Sequence, residues 1–262
     1  MNKFSMNKLR KLIRAAAAVR TGAVPAIARR MHAITFSQYA EDLLLYHFYP
    51  RATGFYVDVG AYDPIEMSNT YRLYLKGWRG LTIEPNPEKS ARFKRLRPED
   101  THLMIGISAE PGKLVYHKLS NPSENTFDPA AAAQKAAWLT SVGELEIECL
   151  PLAAVLDRYA AGRAIDFLNV DCEGHDLAVL RSLDWSRHRP TVILVEDFEE
   201  FDAAVAPALS PSKIRAFLTE RGYALAAQLI FSFMYVDRQA LKGQRDSGFD
   251  LSRSQLYGLL TT

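Results

Sequence analysis

Five strand-like runs recur along this chain, and each is apolar almost without interruption. Helical stretches or turns separate them. Near-continuous apolar runs are typical of parallel strands that are buried on both faces. The pattern predicts an α/β fold with a Rossmann-like parallel sheet, and its strand-like runs are residues 55–60, 80–84, Leu103–Ile107, Ile165–Asp171 and Val192–Glu196.

The end of the chain and one internal segment depart from this alternation. Tyr223–Leu229 and Phe231–Val236 are strand-like with no room for a helix between them, so they predict a terminal antiparallel hairpin at the sheet edge. Glu110 to Pro151 is irregular, with two strand-like runs, Leu114–Leu119 and Leu145–Leu150, around an alanine-rich piece. We expect this segment to be an insertion over the ligand cleft.

Acidic residues stand at or near the ends of four of the runs: Asp58, Glu84, Asp171 and Glu196. Because ligands bind beyond the carboxyl ends of parallel strands, we expect these side chains around one cleft. Gly60 would let the backbone approach a ligand closely, since it has no Cβ. Glu84 could accept both hydroxyls of a ribose, as the acid of a dinucleotide fold does.

The residues after Gly60 restrict the ligand. Dinucleotide sites carry G-x-G-x-x-G so that a pyrophosphate can sit at a helix N-terminus. Here only Gly60 is present, and Asp63 follows where a phosphate would be repelled. A nucleoside with positive charge and no phosphate fits instead, and S-adenosylmethionine is such a molecule.

Charge is distributed unevenly along the chain. The formal charge is +2, yet the residues before Glu41 include eight Lys and Arg and no acid, which leaves −6 for the remainder. The body therefore shows no basic footprint for a nucleic-acid partner. We divide the chain into a basic arm, residues 1–34, and a ligand-binding domain, residues 35–262.

The arm places apolar residues at helical spacing opposite its basic residues. One interpretation is a helix in peripheral contact with the inner face of a membrane; the simpler one is a leader or terminal helix without a membrane role. No run reaches the ~20 apolar residues of a membrane span. Two cysteines, Cys149 and Cys172, are too few for a disulfide framework, so a cytoplasmic protein is predicted.

Seven short motifs follow one another between Ser37 and Phe198: Ser37–Asp42, Tyr56–Ala61, Ser68–Thr70, Gly77–Gly80, Ile83–Pro87, Arg97–Asp100 and Asp171–Asp176. In this order they resemble the FkbM-type family of S-adenosylmethionine-dependent O-methyltransferases. Two positions differ from the family, because Ala40 replaces a glycine and Cys172 replaces an aliphatic residue. The resemblance implies a class I methyltransferase sheet and S-adenosylmethionine as cofactor.

The strand pattern and the resemblance imply the same donor site. Asp58 and Gly60 are expected along the methionine portion of the donor. Glu84 is expected at the ribose, and Asn86 at the adenosine. Ser68 and Asn69 precede a predicted helix, so they either contact the donor or cap that helix.

The motif Asp171–Asp176 contains the predicted catalytic residues. His175 is the expected general base, because a histidine is poised near neutral pH to take the acceptor's proton. Asp171 or Glu173 would orient it or the acceptor. Two alternatives stay open: these residues belong to an ordinary helix start, or Asp171, Glu173 and His175 bind a divalent metal. The metal alternative requires an extended chain through Gly174, and we predict no metal.

The expected acceptor is a small molecule or glycan: a hydroxyl of a sugar, a glycan or a secondary metabolite. One alternative is a catalytically silent binding module in a glycan-assembly complex, which a fold alone does not exclude. The other is a nicotinamide-dependent oxidoreductase, which the missing glycines and the terminal hairpin disfavour. The sequence leaves the oligomeric state open.

Overall fold

The computed structural model describes residues 35–49, 51–199 and 212–242. The predicted basic arm, residues 1–34, lies outside these ranges, and so does the membrane-surface alternative attached to it. None of the described helices is long and apolar enough to cross a membrane.

Ten strands lie within the described residues. They are β1 (Phe55–Val59), β2 (Arg79–Ile83), β3 (Thr101–Leu103), β4 (Gly106–Ile107), β5 (Gly112–Leu119), β6 (Ser141–Leu150), β7 (Phe167–Val170), β8 (Val192–Glu196), β9 (Tyr223–Leu229) and β10 (Ser232–Asp237). Seven of them form the main sheet in the order β3-β2-β1-β7-β8-β10-β9. The first five are parallel, and β10 is antiparallel to both β8 and β9. The predicted parallel sheet with a terminal hairpin is therefore confirmed.

Eight α-helices with both ends inside the described ranges accompany these strands. They are α1 (Glu41–Phe48), α2 (Tyr71–Leu75), α3 (Pro87–Leu96), α4 (Pro129–Lys135), α5 (Leu152–Tyr159), α6 (Asp176–Arg181), α7 (Lys213–Glu220) and α8 (Arg238–Lys242). Alternate residues of β1 enter different cores: Val57 and Val59 lie in one cluster with α5, α6 and α7, while Tyr56 lies in another with α1 and α2. Both faces of β1 are buried, which explains its uninterrupted apolar run.

The predicted third strand, Leu103–Ile107, is wrong in its extent. Leu103 ends β3, where it pairs with Ile83 in the main sheet. Gly106 and Ile107 belong to β4, which pairs with β6 in a separate three-stranded sheet. The chain crosses from one sheet to the other within a single apolar run, so the apolar pattern does not mark the crossing.

The smaller sheet contains the segment that interrupts the parallel alternation. Its order is β4-β6-β5, and β5 and β6 form a long antiparallel pair from Gly112 opposite Cys149 to Leu119 opposite Ser141. Helix α4 lies between these two strands in the chain, at the predicted alanine-rich piece.

Ala40 precedes α1 in a conformation that suits glycine. Its φ of 71° and ψ of 26° lie in the left-handed region. This conformation costs an L-residue other than glycine about 1–2 kcal/mol. At residue 40 the motif that this chain resembles carries glycine. Alanine here keeps the same turn, but the turn is less stable than it would be with glycine.

We expect Ala40→Gly to stabilise the domain by about 0.5–1 kcal/mol, because relief of the strain exceeds the extra backbone entropy that glycine loses. Thermal or denaturant unfolding measures the change. Ala216→Gly is the control, since Ala216 is exposed inside α7 and should lose about 1 kcal/mol there. If both variants lose stability, the strain at Ala40 is not relieved by glycine.

Candidate active site

A pocket opens at the carboxyl ends of the parallel strands. The space inside it, counted together with its open mouth, is about 1020 Å³. Asp58, Glu84, Asp171 and Glu196 all line it. The strand ends thus bring together the four acids that the sequence places around one cleft.

Gly60 allows two of these strand ends to meet. Its φ is +77°, in the left-handed region that favours glycine. A Cβ at this position would lie 1.7 Å from the backbone carbonyl oxygen of Asp171. Only a glycine therefore lets the chain after β1 pass so closely against the chain after β7.

Glu84 follows β2 and is 4% exposed. Its Oε2 accepts the backbone N–H of Tyr62 at 2.8 Å, and its Oε1 accepts that of Asn86 at 2.7 Å. Burial raises the pKa of Glu84 to about 7, although both N–H donors favour the ionised form. Each carboxylate oxygen keeps a further lone pair, so the group could also accept hydroxyls of a ligand.

Asp58 is buried and lines the pocket, and its contact with the methionine portion stays a prediction. One carboxylate oxygen accepts the hydroxyl of Thr70, and the other accepts the Nδ2–H of Asn169 at 2.9 Å. Protein donors therefore engage both oxygens. Asp58 joins β1 to β7 and to the residue before α2, which positions the pocket wall.

A buried arginine supports this arrangement from α3's C-terminal end. Arg97 is 1% exposed. Its Nε donates to Asp100 at 2.7 Å, and its Nη2 donates to the hydroxyls of Tyr56 at 2.8 Å and Thr70 at 2.9 Å. Because these acceptors satisfy the guanidinium, the motif Arg97–Asp100 acts as a scaffold next to Asp58.

The remaining predicted donor residues divide between structural and pocket positions. Asn86 is a correction: its side chain caps α3 by accepting the backbone N–H of Glu88 at 3.1 Å, and it does not line the pocket. Ser68 lines the pocket and also accepts the backbone N–H of Tyr71 at 3.1 Å. Asn69 lines the pocket with a buried Oδ1 that has no hydrogen-bond partner among the described residues.

Asp63 does not lie where it could repel a ligand phosphate, although the sequence leads us to expect it there. It is buried, its Oδ1 accepts the backbone N–H groups of Ile65 and Glu66 at 3.1 Å, and Lys89 and Arg92 pair with it. It also does not line the pocket. The missing glycines, rather than this acid, are what distinguish the loop from a pyrophosphate site.

His175 lines the pocket at the N-terminus of α6. Its Nε2 lies 3.1 Å from the carbonyl oxygen of Ile107. A carbonyl only accepts, so Nε2 carries the proton and Nδ1 keeps its lone pair. Burial lowers the pKa of His175 below its ordinary value, and the imidazole is therefore neutral at physiological pH and able to take a proton.

Three carboxylates meet at one side of the pocket. One oxygen each from Asp171, Glu173 and Glu196 lies within 4.8 Å of the others. His175 is not a member, so the alternative ligand set Asp171, Glu173 and His175 is wrong in its third residue. Glu173 and Gly174 have positive φ values of 55° and 100°, and the turn that they form prevents the extended conformation which that set requires.

Crowding and burial favour the neutral forms of these acids. Burial raises the pKa of Asp171 and of Glu196 well above the ordinary range, and neighbouring carboxylates add to the shift. Burial also raises the pKa of Glu173 to about 7, against the lowering effect of Lys135. A positive charge bound beside these acids would favour their ionised forms instead.

Several residues that line the pocket or contact its acids carry no signal that identifies them in the sequence. Lys135, from α4, forms ion pairs with Glu173 and with Glu124. Thr126 donates its hydroxyl to the backbone carbonyl of Glu173 at 3.0 Å. Both residues come from the segment between β5 and β6, which contains none of the motifs. Glu41 also lines the pocket. It lies inside the motif Ser37–Asp42, and that motif is the signal in the sequence that could have identified it.

Comparison with known proteins assigns the chain to a family. The model of the Methyltransferase FkbM domain matches residues 58–225. The chain belongs to the FkbM methyltransferase family. No protein with a curated description matches the chain.

Two solved structures are similar to this FkbM-family chain. Methyltransferase FkbM from Methylobacillus flagellatus KT is 14% identical with a TM-score of 0.39, and the match covers 71% of this chain and 44% of that chain. A putative O-methyltransferase from Klebsiella pneumoniae is 13% identical with a TM-score of 0.40, and the match covers 86% and 89%. The chain thus matches less than half the length of the Methylobacillus protein.

Cys172 is the second departure from the FkbM pattern, and its surroundings explain why it is tolerated. It packs against the core cluster that contains Val59 and Val170. Burial raises the pKa of its thiol, so the side chain stays neutral in place of an aliphatic one. Its backbone N–H donates to Asp176 at 2.8 Å, which orders the loop before α6.

Proposed function

We propose that the chain is an S-adenosylmethionine-dependent O-methyltransferase that methylates a hydroxyl of a sugar, glycan or secondary metabolite. One observation carries the proposal: Gly60 and Glu84, which suit a nucleoside, line the same pocket as the neutral imidazole of His175. Membership of the FkbM methyltransferase family supports methyl transfer as the reaction.

Glu84 would bind the donor's ribose. Its two oxygens are held by the backbone N–H groups of Tyr62 and Asn86, so the carboxylate is fixed before a ligand arrives and loses little freedom on binding. The buried Oδ1 of Asn69 offers a further acceptor on the wall of the same pocket. Its natural partner is a donor group such as the ammonium of the methionine portion.

His175 would act as the general base. Nδ1 would take the proton of the acceptor's O–H. S-adenosylmethionine, held at Glu84, would supply the methyl group for the acceptor oxygen and would leave as S-adenosylhomocysteine. The hydrogen bond from Nε2 to the Ile107 carbonyl holds the ring and stabilises the positive charge that forms. Asp171 would orient the acceptor hydroxyl.

Donor affinity is expected to rise with pH up to about 7. The pKa of Glu84 is raised to about 7, and ribose hydroxyls donate to its ionised form, so at lower pH binding must first displace a proton. Affinity for S-adenosylmethionine should therefore rise with pH below 7, in total by no more than the roughly 2 kcal/mol that the charged acceptor contributes, and level off above it. Calorimetric titration between pH 5 and 8 measures this.

Glu84→Gln is the matched control for this prediction. It keeps the size of the side chain and removes the titrating group, so its affinity should be nearly independent of pH and roughly 2 kcal/mol weaker at pH 8. An equal pH dependence in both proteins would contradict the assignment of the ribose to Glu84.

The function itself is tested by incubating the full chain with methyl-labelled S-adenosylmethionine and separate pools of sugars, glycans and hydroxylated secondary metabolites. Transfer of label to a hydroxyl, identified by mass spectrometry of the product, supports the proposal. Donor binding without transfer to any pool would favour the silent binding module, and preferential binding of NADH would favour the oxidoreductase.

A further inference from the structure

We propose that Asp171, Glu173 and Glu196 form a binding site for a divalent cation on the wall of the pocket. Asp171 directly follows β7 and Glu196 ends β8, so neighbouring parallel strands fix the backbones of these two acids. Rigid elements of this kind hold ligands more precisely than loops do. Glu173 lies three residues beyond β7, in the turn before α6.

The distances between the carboxylates suit a single ion. One oxygen from each residue lies within 4.8 Å of the other two. Two ligands of one ion lie at most twice the metal–oxygen distance apart, which is about 4.0–4.2 Å for Mg²⁺ and about 4.6–5.2 Å for Ca²⁺. The three oxygens can therefore reach one ion with shifts of less than about 1 Å, well within side-chain adjustment.

Glu196 supplies an independent observation. Its Oε2 is buried and has no hydrogen-bond partner among the described residues. A buried carboxylate oxygen without a partner is costly. An ion shared with Asp171 and Glu173 would satisfy this carboxylate, since each of those residues places an oxygen within 4.8 Å of one of the Glu196 carboxylate oxygens.

The charge of the cluster suits a divalent ion. Lys135 forms its ion pairs with Glu173 and with Glu124, the latter at 3.1 Å. Within the described part of the chain it forms none with Asp171 or Glu196. When ionised, these two acids keep two negative charges that a divalent ion would balance.

The donor atoms identify the class of metal. Carboxylate oxygens are hard ligands and favour Mg²⁺, Mn²⁺ or Ca²⁺ over softer metals that prefer sulfur or imidazole. The remaining ligand positions would be open to water or to an acceptor hydroxyl, which the ion would polarise as a Lewis acid. This catalytic role rests on the proposed function, whereas the cation site itself does not.

Direct binding of Mn²⁺ tests the site without any methyl donor or acceptor. The full chain is titrated with Mn²⁺, and free ion is followed by electron paramagnetic resonance. We expect one saturable site per chain, competition by Mg²⁺ and Ca²⁺, and a higher melting temperature with metal. Glu196→Gln should weaken Mn²⁺ binding at least tenfold and abolish the metal-dependent rise in melting temperature.

Two further variants complete the experiment. Asp171→Asn should weaken binding as Glu196→Gln does, whereas Glu148→Gln, at an exposed acid on β6, should bind Mn²⁺ like the unaltered chain. Absence of saturable binding, or equal affinity in Glu196→Gln and Glu148→Gln, would overturn the cation site. Because no methyl transfer is measured, either outcome leaves the proposed function to be judged separately.

Discussion

Gly60→Ala is expected to destabilise the domain by more than about 4 kcal/mol, a loss that is exceptional for a single substitution. An alanine in the left-handed region costs about 1–2 kcal/mol by itself. The larger part comes from the new Cβ, which would lie 1.7 Å from the carbonyl oxygen of Asp171. The ends of β1 and β7 would have to separate, and the pocket would lose the position of Asp171.

A matched control separates the two contributions. Gly162 has a similar φ of +72°, but no atom lies within 4 Å of the Cβ that an alanine would add. Gly162→Ala should therefore lose only the 1–2 kcal/mol of backbone strain. Unfolding by denaturant compares the two variants, and similar losses in both would show that β1 and β7 separate easily.

His175→Ala is expected to lower turnover by about 10²- to 10⁴-fold with little change in donor affinity, because it removes the general base and leaves the ribose site intact. His188→Ala is the control, since His188 pairs with Asp157 and does not line the pocket. Single-turnover transfer of labelled methyl, together with calorimetric donor binding, separates the catalytic effect from any effect on binding.

The pH profile adds a second test of the same residue. Burial lowers the pKa of His175 below 6.5. The rate of methyl transfer should therefore rise with pH as His175 loses its proton below pH 6.5. Above pH 7 the ionisation of His175 should have no further effect on the rate. The rise should be missing from His175→Ala. A variant that turns over at the original rate would move the base elsewhere, and Glu196 would be the next candidate. Asp197 would not, because it binds the hydroxyl of Ser212 away from the pocket.

The strands of the main sheet could be predicted where burial on both faces leaves a continuous apolar run. Val192–Glu196 is predicted to the residue, and β1 within one residue. β3 could not be, because it pairs only with β2 at the sheet edge and its first two residues, Thr101 and His102, are polar. The apolar residues that follow belong partly to another sheet.

The sequence predicts which residues lie near the pocket only where the ends of the parallel strands fix their positions. Topology alone places Glu84, Asp171 and Glu196 near one another, since parallel strands end at one edge. The direction of each side chain depends on contacts that are distant in sequence. Asp58 turns towards Thr70 and Asn169, and Asn86 turns to its own helix. Neither choice follows from the motif around the residue.

The two sheets of this domain tolerate changes in sequence to different extents. Among the described strands, the antiparallel pair of β5 and β6 is joined to the others only where β6 pairs with the two residues of β4. The segment between β5 and β6 supplies Thr126 and other residues of the pocket wall. Insertions, deletions and new side chains there leave the register of the seven-stranded sheet untouched. Descendants of one ancestral chain could therefore diversify in what they recognise at this wall while they inherit the rest of the pocket unchanged.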